Sequence, residues 1–373
     1  MTDDQGESIE RRDVLKVIGA SSTVGLAGCS GDGGDGGEGE DGEADPTPTP
    51  ADSTPTPAGS TPTDADSGTE TTTGSRVYSA AMSMSTLQLP FFNRMRCRFA
   101  GMAEERDDLE SVGIFDAQGN NSQQLSDLEN ALTRGADFLI VNPVSSTGIR
   151  SVVEQANEQN VPMINIDRHY VNLEEITTYV GSNNFDLGRR STKLLLDLME
   201  SKHGEKDQYN VVQLQGIPGT SAATGRTQGF EAAVESSGKI NVLDTLVGDF
   251  SVSGAVGPTE DAVTRHGDEI DGIFAQNDPM ARGAVQVLSD EDMADMPISG
   301  VDGGQEWVSM ITENEYYGTL AQQPVEMVNL SVQYGIAAAN GEDVPNVDHT
   351  GGVEVTMDNA QEFLDNHFQY TSC

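Results

Sequence analysis

The chain is short of positive charge. Its 373 residues include 20 lysines and arginines against 61 aspartates and glutamates, which gives a formal net charge of −41. The acidity is spread along the chain, because 45 acidic and only 17 basic residues remain after the first 75. Such a surface offers no basic face for phosphates, which argues against a nucleic-acid partner. It stays hydrated in molar salt, where self-repulsion is screened, so we predict a salt-adapted protein, with an ordinary acidic protein as the alternative.

Cysteine and histidine are also scarce. The chain has three cysteines, of which Cys97 falls in a predicted helix and Cys373 is the last residue. These two form neither a disulfide framework nor a metal-ligand spacing. We therefore predict a buried thiol at Cys97 and a frayed end at Cys373. None of the five histidines is paired with a second ligand at zinc spacing, so we predict no metal and no cofactor.

The N-terminus lacks an apolar run long enough to cross a membrane. Residues 14–27 are weakly apolar, rich in Gly and Ser, and too short to span a bilayer as a stable helix. Arg11 and Arg12 precede this run, and the sequence LAGC ends it at Cys29. We interpret residues 1–29 as a twin-arginine lipoprotein signal with Cys29 as the lipidation site. A chance arginine pair followed by a chance cysteine is the alternative.

Residues 30–75 lack the apolar residues of a core. They consist mainly of Gly, Asp, Glu, Thr and Pro, as in DPTPTPADSTPTP. A segment of this composition cannot bury enough apolar surface to fold, and its prolines and like charges extend it. We predict a disordered tether that holds a folded domain away from a membrane surface.

From residue 76 onward, short apolar segments alternate with amphipathic ones. This pattern predicts an α/β fold with parallel sheets covered on both faces, and the number of strands favours two doubly wound lobes. Asp278-Pro279 is predicted as an N-cap and first-turn pair. The predicted strands are VYSAAM, VGIFDA, ADFLIVNP, VPMINID, YNVVQLQG, INVLDTLVGDF, IDGIFAQN, MPISGVDG and YYGTLAQQ.

Ligands of such sheets bind beyond the carboxyl ends of the strands. The residues at the predicted ends are amides, carboxylates, arginines and phenylalanines. Paired donors and acceptors suit sugar hydroxyls, and aromatic rings stack on the apolar faces of a sugar ring. In STLQLPFFNRM, at least one of Phe91 and Phe92 is predicted to line a sugar slot that Phe250 faces from the other lobe. Core packing is the alternative for this pair.

Six stretches together resemble the ribose-type periplasmic sugar-binding proteins, the soluble receptors of ABC importers. They are STLQLPFF, INIDR, LQGIPGTSAATGRTQGF, GIFAQNDPMARGA, GVDG and LAQQP, in family order and spacing. With the acidic composition, the resemblance implies a halophilic archaeal source. It also implies a type I periplasmic binding protein fold, in which two lobes close on a monosaccharide and are joined by three crossovers. The crossovers are expected near residues 181–184, 322–324 and 351–352. Lobe 1 would comprise residues 76–181 and 323–351, and lobe 2 residues 182–322 and 352–373.

The resemblance also implies which residues contact the sugar. Three phenylalanines would stack on the ring, and most of the polar residues would hydrogen-bond its hydroxyls. The implied contacts are Ser85, Phe91, Phe92, Asn142, Asp167, Arg168, Arg226, Phe250, Asn277, Asp302 and Gln322.

One position departs from the family pattern. Leu89 stands where the family usually has an asparagine just before the proline of the first motif. A sugar hydroxyl left unpaired there would cost about 1–3 kcal/mol. A deoxy sugar, another pentose or a differently oriented hexose could therefore suit the slot better than ribose, unless Gln88 compensates.

The polar candidates have structural alternatives. Asp302 could cap a turn, Asn277 could cap the following helix, and Asp167 with Arg168 could form a surface ion pair. Arg226 could be solvated on its helix. His169 is expected at the rim of the site.

The same residues suggest three other functions. Asp167 and Asp302 could form the carboxylate pair of a glycoside hydrolase, but a neighbouring arginine should keep Asp167 ionised and unfit as a general acid. A sugar-responsive repressor needs a DNA-binding helix pair before residue 76, where the chain has a lipobox and an acidic linker. A receptor that signals to a membrane sensor remains open. We expect a monomeric, lipid-anchored receptor on the outer face of the membrane that delivers its sugar to an ABC permease.

Overall fold

The first lobe is built on a parallel sheet. The computed structural model describes residues 76–368 and residue 373. The sheet has six strands, numbered in chain order: β1 (Tyr78–Met84), β2 (Leu109–Asp116), β3 (Phe138–Val141), β4 (Met163–Ile166), β5 (Thr178–Ser182) and β11 (Val347–Thr350). Their order is β11-β5-β4-β3-β1-β2, and every neighbouring pair is parallel.

Helices cover both faces of this sheet. They are α1 (Pro90–Glu105), α2 (Asn121–Thr133), α3 (Arg150–Glu158) and α9 (Pro324–Ala339). Along β1, Met82 and Met84 point into one core with α1 and α9, while Ala81 points into a second core with α2 and α3. The strand is apolar at successive positions because both of its faces are buried.

The second lobe repeats this architecture with one reversed edge strand. Its strands are β6 (Tyr209–Gln215), β7 (Ile240–Val247), β8 (Gly272–Ala275), β9 (Ile298–Asp302), β10 (Tyr317–Ala321) and β12 (Val353–Val355). Their order is β12-β10-β9-β8-β6-β7, with β12 antiparallel to β10. Its helices are α4 (Asn184–His203), α5 (Ser221–Ser237), α6 (Val252–His266), α7 (Asp278–Asp290), α8 (Gln305–Ile311) and α10 (Ala360–His367).

Two cores hold the second lobe together. Val211 of β6 faces the core formed with α4 and α5, and the adjacent Val212 faces the core formed with α7 and α8. Single turns of 3₁₀ helix lie at Leu173–Glu175 in the first lobe and Gly267–Glu269 in the second. The predicted α/β class with two parallel-sheet lobes is therefore confirmed.

The chain passes between the two sheets three times. It leaves β5 for α4 through Asn183, leaves β10 for α9 through Gln322 and Gln323, and leaves β11 for β12 through Gly351 and Gly352. β5 neighbours β11 in the first sheet, and β10 neighbours β12 in the second. All three passages therefore lie at one edge of each sheet.

The predicted cap of α7 is wrong by one residue. Asn277, and not Asp278, is the N-cap, and its Oδ1 accepts a hydrogen bond from the Met280 amide at 3.0 Å. Asp278 lies in the first turn, where its carboxylate accepts hydrogen bonds from Thr319 Oγ1 and the Gly304 amide, both at 2.6 Å. Asparagine caps as well as aspartate does, which leaves Asp278 free to bind backbone and side chains of neighbouring strands.

The prediction for the cysteines is also wrong. Cys97 is buried as expected, but it forms a disulfide with Cys373, and their Cα atoms are 5.3 Å apart. The pair is separated by 276 residues in the sequence, so no spacing pattern could reveal it.

The N-terminal predictions fall on residues that the structure does not describe. The signal over 1–29, the lipidation site at Cys29 and the tether over 30–75 all lie outside the described residues. Within residues 76–368, no helix has the length and apolar character needed to cross a membrane.

Candidate ligand-binding site

A cavity of about 420 Å³ lies between the two lobes. This volume falls within the usual range of small-molecule sites. Nine of the eleven predicted contact residues line it: Phe91, Phe92, Asp167, Arg168, Arg226, Phe250, Asn277, Asp302 and Gln322. Both lobes and one of the passages between them contribute, so a ligand in this cavity would touch both lobes at once.

Strand ends explain why distant residues meet in the cavity. Asp167 follows β4, Asn277 lies two residues after β8, Asp302 ends β9 and Gln322 follows β10. The carboxyl ends of parallel strands lie at one edge of a sheet, and the two sheets turn these edges toward the cavity. The phenyl rings come from the same edges, those of Phe91 and Phe92 from the first turn of α1 and that of Phe250 from the loop before α6.

Ser85 and Asn142 lie behind the cavity wall and do not line it. Both are fully buried, and Ser85 Oγ donates a hydrogen bond to Asn142 Oδ1 at 2.6 Å. Asn142 Nδ2 in turn donates to Asp167 Oδ2 and to the Ile166 carbonyl, both at 3.1 Å. In this arrangement the two residues orient the Asp167 carboxylate.

Burial changes the expected ionisation of Asp167. Its pKa is raised because burial disfavours the charged form, although the charges of Arg168 and Arg226 and the hydrogen bond from Asn142 act in the opposite direction. The expectation that a neighbouring arginine keeps its pKa low is therefore wrong. Tyr179 holds the backbone in place by donating from its hydroxyl to the Asp167 carbonyl at 2.8 Å.

Three site residues adopt backbone conformations that favour glycine. The φ angles are 62° at Asp167, 56° at Phe250 and 131° at Asp302. Each such residue costs on the order of 1–3 kcal/mol and persists only where its surroundings impose it, which is common at ligand sites. The strain turns all three side chains toward the cavity that they line.

The aromatic residues form two walls. The rings of Phe91 and Phe92 lie edge to face with centroids 5.7 Å apart. Phe92 is almost fully buried in the first lobe's core but still borders the cavity, and Phe91 is half-buried. Core packing and lining of the cavity, the two alternatives for this pair, therefore both apply in part. Across the cavity, Phe250 packs against Gly216, where an added Cβ would lie 2.0 Å from the ring.

Arg226 is buried and makes several contacts, so the alternative that its side chain is solvated on the helix surface is wrong. Its Nε donates to Asn184 Oδ1 at 3.0 Å, and its Nη1 donates to the Gln276 carbonyl. Its Nη2 lies 3.6 Å from Asp302 Oδ1, and its guanidinium lies 5.7 Å from the Phe250 ring centroid. In the first lobe Arg168 makes a similar ring contact, with its guanidinium 5.2 Å from the Phe92 centroid.

Two neighbouring carboxylates line the site, that of Asp278, which is buried, and that of Asp302, whose side chain is 15% exposed. Burial raises the pKa of Asp278 to about 8, and repulsion from Asp302 adds to the shift. Burial also raises the pKa of Asp302 to about 6, while Arg226 and Gln322 act to lower it. Gln322 Nε2 donates to Asp302 Oδ1 at 2.8 Å, but the Gln322 Oε1 atom is buried and has no partner among the described residues.

Several cavity residues were missed in the sequence. Arg94 lies one helical turn after the Phe pair, and Phe368 follows α10. Gln276, beside the predicted Asn277, was also missed; it does not line the cavity but is fully buried, and its Oε1 accepts from the Gly216 amide at 3.0 Å. Its place at a strand end was a usable signal, whereas nothing local marked Phe368. No group of three or more metal-ligating side chains is positioned for an ion within the described part of the chain.

Two parallel-sheet lobes with an aromatic and polar cavity between them define a two-lobed solute-binding protein. Residues 80–343 match the family described as periplasmic binding protein domain, and the chain belongs to this family, among the sugar-binding solute-binding proteins of ABC transporters. The chain is 32% identical to the ribose import binding protein RbsB of Escherichia coli (strain K12). The alignment spans 265 residues, which is 71% of this chain and 86% of that protein.

Solved structures agree with this assignment. An ABC transporter solute-binding protein from Bacillus halodurans C-125 with bound myo-inositol is 26% identical, with a TM-score of 0.71, and the match covers 79% of this chain and 99% of that one. One from Mycobacterium smegmatis with bound glycerol is 28% identical, with a TM-score of 0.69, covering 77% and 97%. These relatives are transport proteins and not enzymes, which sets the glycoside hydrolase alternative aside.

Proposed function

We propose that this protein is an exported, membrane-anchored receptor that binds a monosaccharide, ribose or a similar sugar, and delivers it to an ABC permease. One observation carries the proposal. Aromatic rings and paired hydrogen-bonding groups from both lobes converge on one cavity. The name of the ribose import protein and the myo-inositol and glycerol in the solved structures are consistent with a polyhydroxylated ligand.

The polar groups of the cavity match sugar hydroxyls. In this proposal Asp167, Asp302 and Gln322 accept hydrogen bonds, while Arg168 and Arg226 donate them. The orphan Oε1 of Gln322 supports the assignment, because a buried acceptor without a donor costs about 1–3 kcal/mol and a sugar hydroxyl supplies that donor. Asn277 contributes less than expected, since its amide already bonds the Met280 amide and the Phe250 carbonyl.

The rings supply the remaining contact. Phe91 and Phe92 would cover one face of the sugar and Phe250 the other, because the C–H faces of a pyranose are apolar. The nearby guanidinium groups of Arg168 and Arg226 hold two of these rings in place.

Leu89 shapes the choice of sugar. It lines the cavity at the N-cap of α1 and makes no side-chain cap hydrogen bond. A hydroxyl that points at this side chain has no partner there, so we propose a ligand that lacks it or directs it elsewhere. Gln88 also borders the cavity and offers an amide if its side chain turns inward.

Binding would proceed by closure of the two lobes. We place lobe 1 at residues 76–181 and 323–351, and lobe 2 at residues 182–322 and 352–373, with the three passages as the hinge. A sugar stabilises the closed state because only there do both lobes contact it. The His169 amide donates to Ser221 Oγ at 3.2 Å, a contact between the lobes that opening would break.

The cellular setting is proposed from the N-terminal sequence. Arg11 and Arg12 would direct export by the twin-arginine route, and Cys29 would carry the lipid. The Cys97–Cys373 disulfide supports an extracytoplasmic setting, because such bonds persist in oxidising compartments. The acidic surface supports a monomer in concentrated salt, where docking on a permease depends on short-range contacts.

Calorimetric titration tests the proposal. The full chain in molar KCl would be titrated with ribose, xylose, arabinose, glucose, galactose, deoxyribose and nucleosides. We expect one sugar to bind with micromolar or tighter affinity and to be recovered unchanged, and the double variant Asp167→Ala/Asn277→Ala to lose that binding while remaining folded. Binding of none of the panel, or chemical alteration of a sugar, would overturn the proposal.

A further inference from the structure

The end of the chain links the two lobes a fourth time. α10 belongs to the second lobe, where Ala360 and Phe363 are buried in the core that also contains α8. Cys97 is a buried residue of α1 in the first lobe, and its helix neighbours Met95 and Phe99 share a core with residues of α9. The disulfide between Cys97 and Cys373 therefore joins α1 of one lobe to the segment that follows α10 of the other.

Non-covalent contacts accompany this bond. The Arg94 guanidinium, one turn before Cys97, donates from Nη2 to the His367 carbonyl at the end of α10. It also lies 4.8 Å from the ring centroid of Phe368, whose other neighbour is Phe363 at 5.9 Å. Burial lowers the pKa of Arg94 only to about 10, so the guanidinium stays charged at neutral pH.

The link lies away from the hinge edge. α1 begins after β1, and two strands, β4 and β3, separate β1 from the hinge strand β5. Three strand spacings correspond to about 14 Å. Arg94 and Phe368 also line the cavity itself. Rotation of the lobes about the three passages must therefore lengthen the path between α1 and α10.

We propose that the Cys97–Cys373 disulfide is a strap between the lobes that limits how far the cavity opens. Cys373 follows Phe368 by five positions in the sequence, and five fully extended residue steps reach about 18 Å. The two bonded cysteines have Cα atoms only 5.3 Å apart. The Cα atoms of Phe368 and Cys97 can therefore never lie more than about 23 Å apart while the bond is intact.

The strap favours ligand binding. Limiting the open conformations raises the fraction of free protein that is ready to bind, and apparent affinity rises in proportion to this fraction. This consequence for affinity rests on the proposed closure around a sugar. The limit on opening does not, because it holds with or without a ligand.

The test uses the full chain in a Cys29→Ser background, which leaves only the two cysteines of the strap. Denatured without reductant, this protein should show no reactive thiol, and two after reduction. Cys373→Ser then breaks the bond at an exposed position, and Cys97→Ser breaks it at a buried one. Small-angle scattering without ligand should give a larger radius of gyration for both variants than for the parent. Reductant should expand the parent and leave Cys373→Ser unchanged.

Affinity is measured separately with D-ribose as the probe. We expect both variants to bind about fivefold more weakly than the parent, as when the competent fraction falls from about one half to one tenth. If none of the proteins binds D-ribose, the proposed ligand is wrong, but the scattering result still tests whether the disulfide limits opening of the lobes. Two free thiols in the unreduced parent, equal radii for all proteins, or expansion by Cys97→Ser alone would overturn the strap.

Discussion

Gln322 donates a hydrogen bond from Nε2 to Oδ1 of Asp302 at 2.8 Å, while its own Oε1 is buried without a partner among the described residues. The side-chain amide of Gln322 therefore orients the Asp302 carboxylate, and its Oε1 atom is available to accept a hydrogen bond from a ligand. Gln322→Leu should weaken binding of the cognate sugar by about 1–3 kcal/mol, because the ligand loses an acceptor. Calorimetry measures this loss. Unfolding free energy should change by less, since the variant also removes an unsatisfied buried oxygen.

The neighbouring residue supplies the control for this prediction. Gln323 belongs to the same passage but does not line the cavity, so Gln323→Leu should leave sugar affinity unchanged. Equal losses in the two variants would mean that the passage, and not the cavity amide, determines affinity.

Gly216 determines where the Phe250 ring lies. Because a Cβ at this position would lie 2.0 Å from the ring, Gly216→Ala should displace Phe250 from the cavity wall. Overpacking of this kind costs about 1–3 kcal/mol of stability, and we expect sugar affinity to fall by a similar amount. Denaturant titration and calorimetry measure the two effects. Gly257→Ala is the matched control, because an added Cβ there meets nothing within 4 Å in α6.

The buried carboxylate of Asp278 should make stability depend on pH. Its folded pKa is raised from 3.8 to about 8, so between these values the native state holds a proton that the unfolded state has lost. Unfolding free energy should therefore be fully retained at low pH and fall as pH rises through this window. Asp278→Asn should flatten this dependence by at least about 1 kcal/mol, because one pKa unit corresponds to about 1.4 kcal/mol.

Chemical denaturation of both proteins across the window measures the difference. Subtraction removes the effect of acidic residues remote from this site, whereas the repulsion between Asp278 and Asp302 is part of the difference that is measured. Asp290→Asn, at the exposed end of α7, is the matched control and should follow the parent curve. Parallel curves for the parent and Asp278→Asn would show that Asp278 titrates alike in the folded and unfolded chains.

Leu89 offers a gain-of-function prediction. Leu89→Asn places an amide at the N-cap of α1, where the side chain makes no cap hydrogen bond, and at the cavity wall. We expect D-ribose affinity to rise about tenfold, the effect of one hydrogen bond of about 1.4 kcal/mol. Leu87→Asn is the control, because Leu87 lines the cavity and packs on the same core without occupying the cap. A gain in both variants, or in neither, would show that residue 89 does not determine the affinity for D-ribose.

Much of the architecture was readable in the sequence. Apolar segments such as FLIV of β3 lie between amphipathic helices, and this alternation alone indicates parallel sheets buried on both faces. The strand-end rule then selected Asp167, Asn277, Asp302 and Gln322, because the direction of a parallel strand determines where its last residue lies. These features depend on local order along the chain.

Other features were beyond local reasoning. Asn142 is a strand-end amide like Asn277, but its side chain is hydrogen-bonded to Ser85 and Asp167 and lies behind the cavity wall. The raised pKa of Asp167 could not be predicted without knowing how deeply the carboxylate is buried. Burial outweighs the charges of the arginines, which are visible in the sequence. Each outcome depended on packing from more than one element.

Hydrophobic period and chain direction are local properties, so the alternation of strands and helices, the two lobes and the polar set at the strand ends could all be predicted from the order of residues. The bond between Cys97 and Cys373, the place of Phe368 in the cavity wall and the burial of Asp278 beside Asp302 follow from packing in three dimensions. Contacts between residues hundreds of positions apart depend on how the lobes and the chain end pack together, and no spacing in the sequence encodes them.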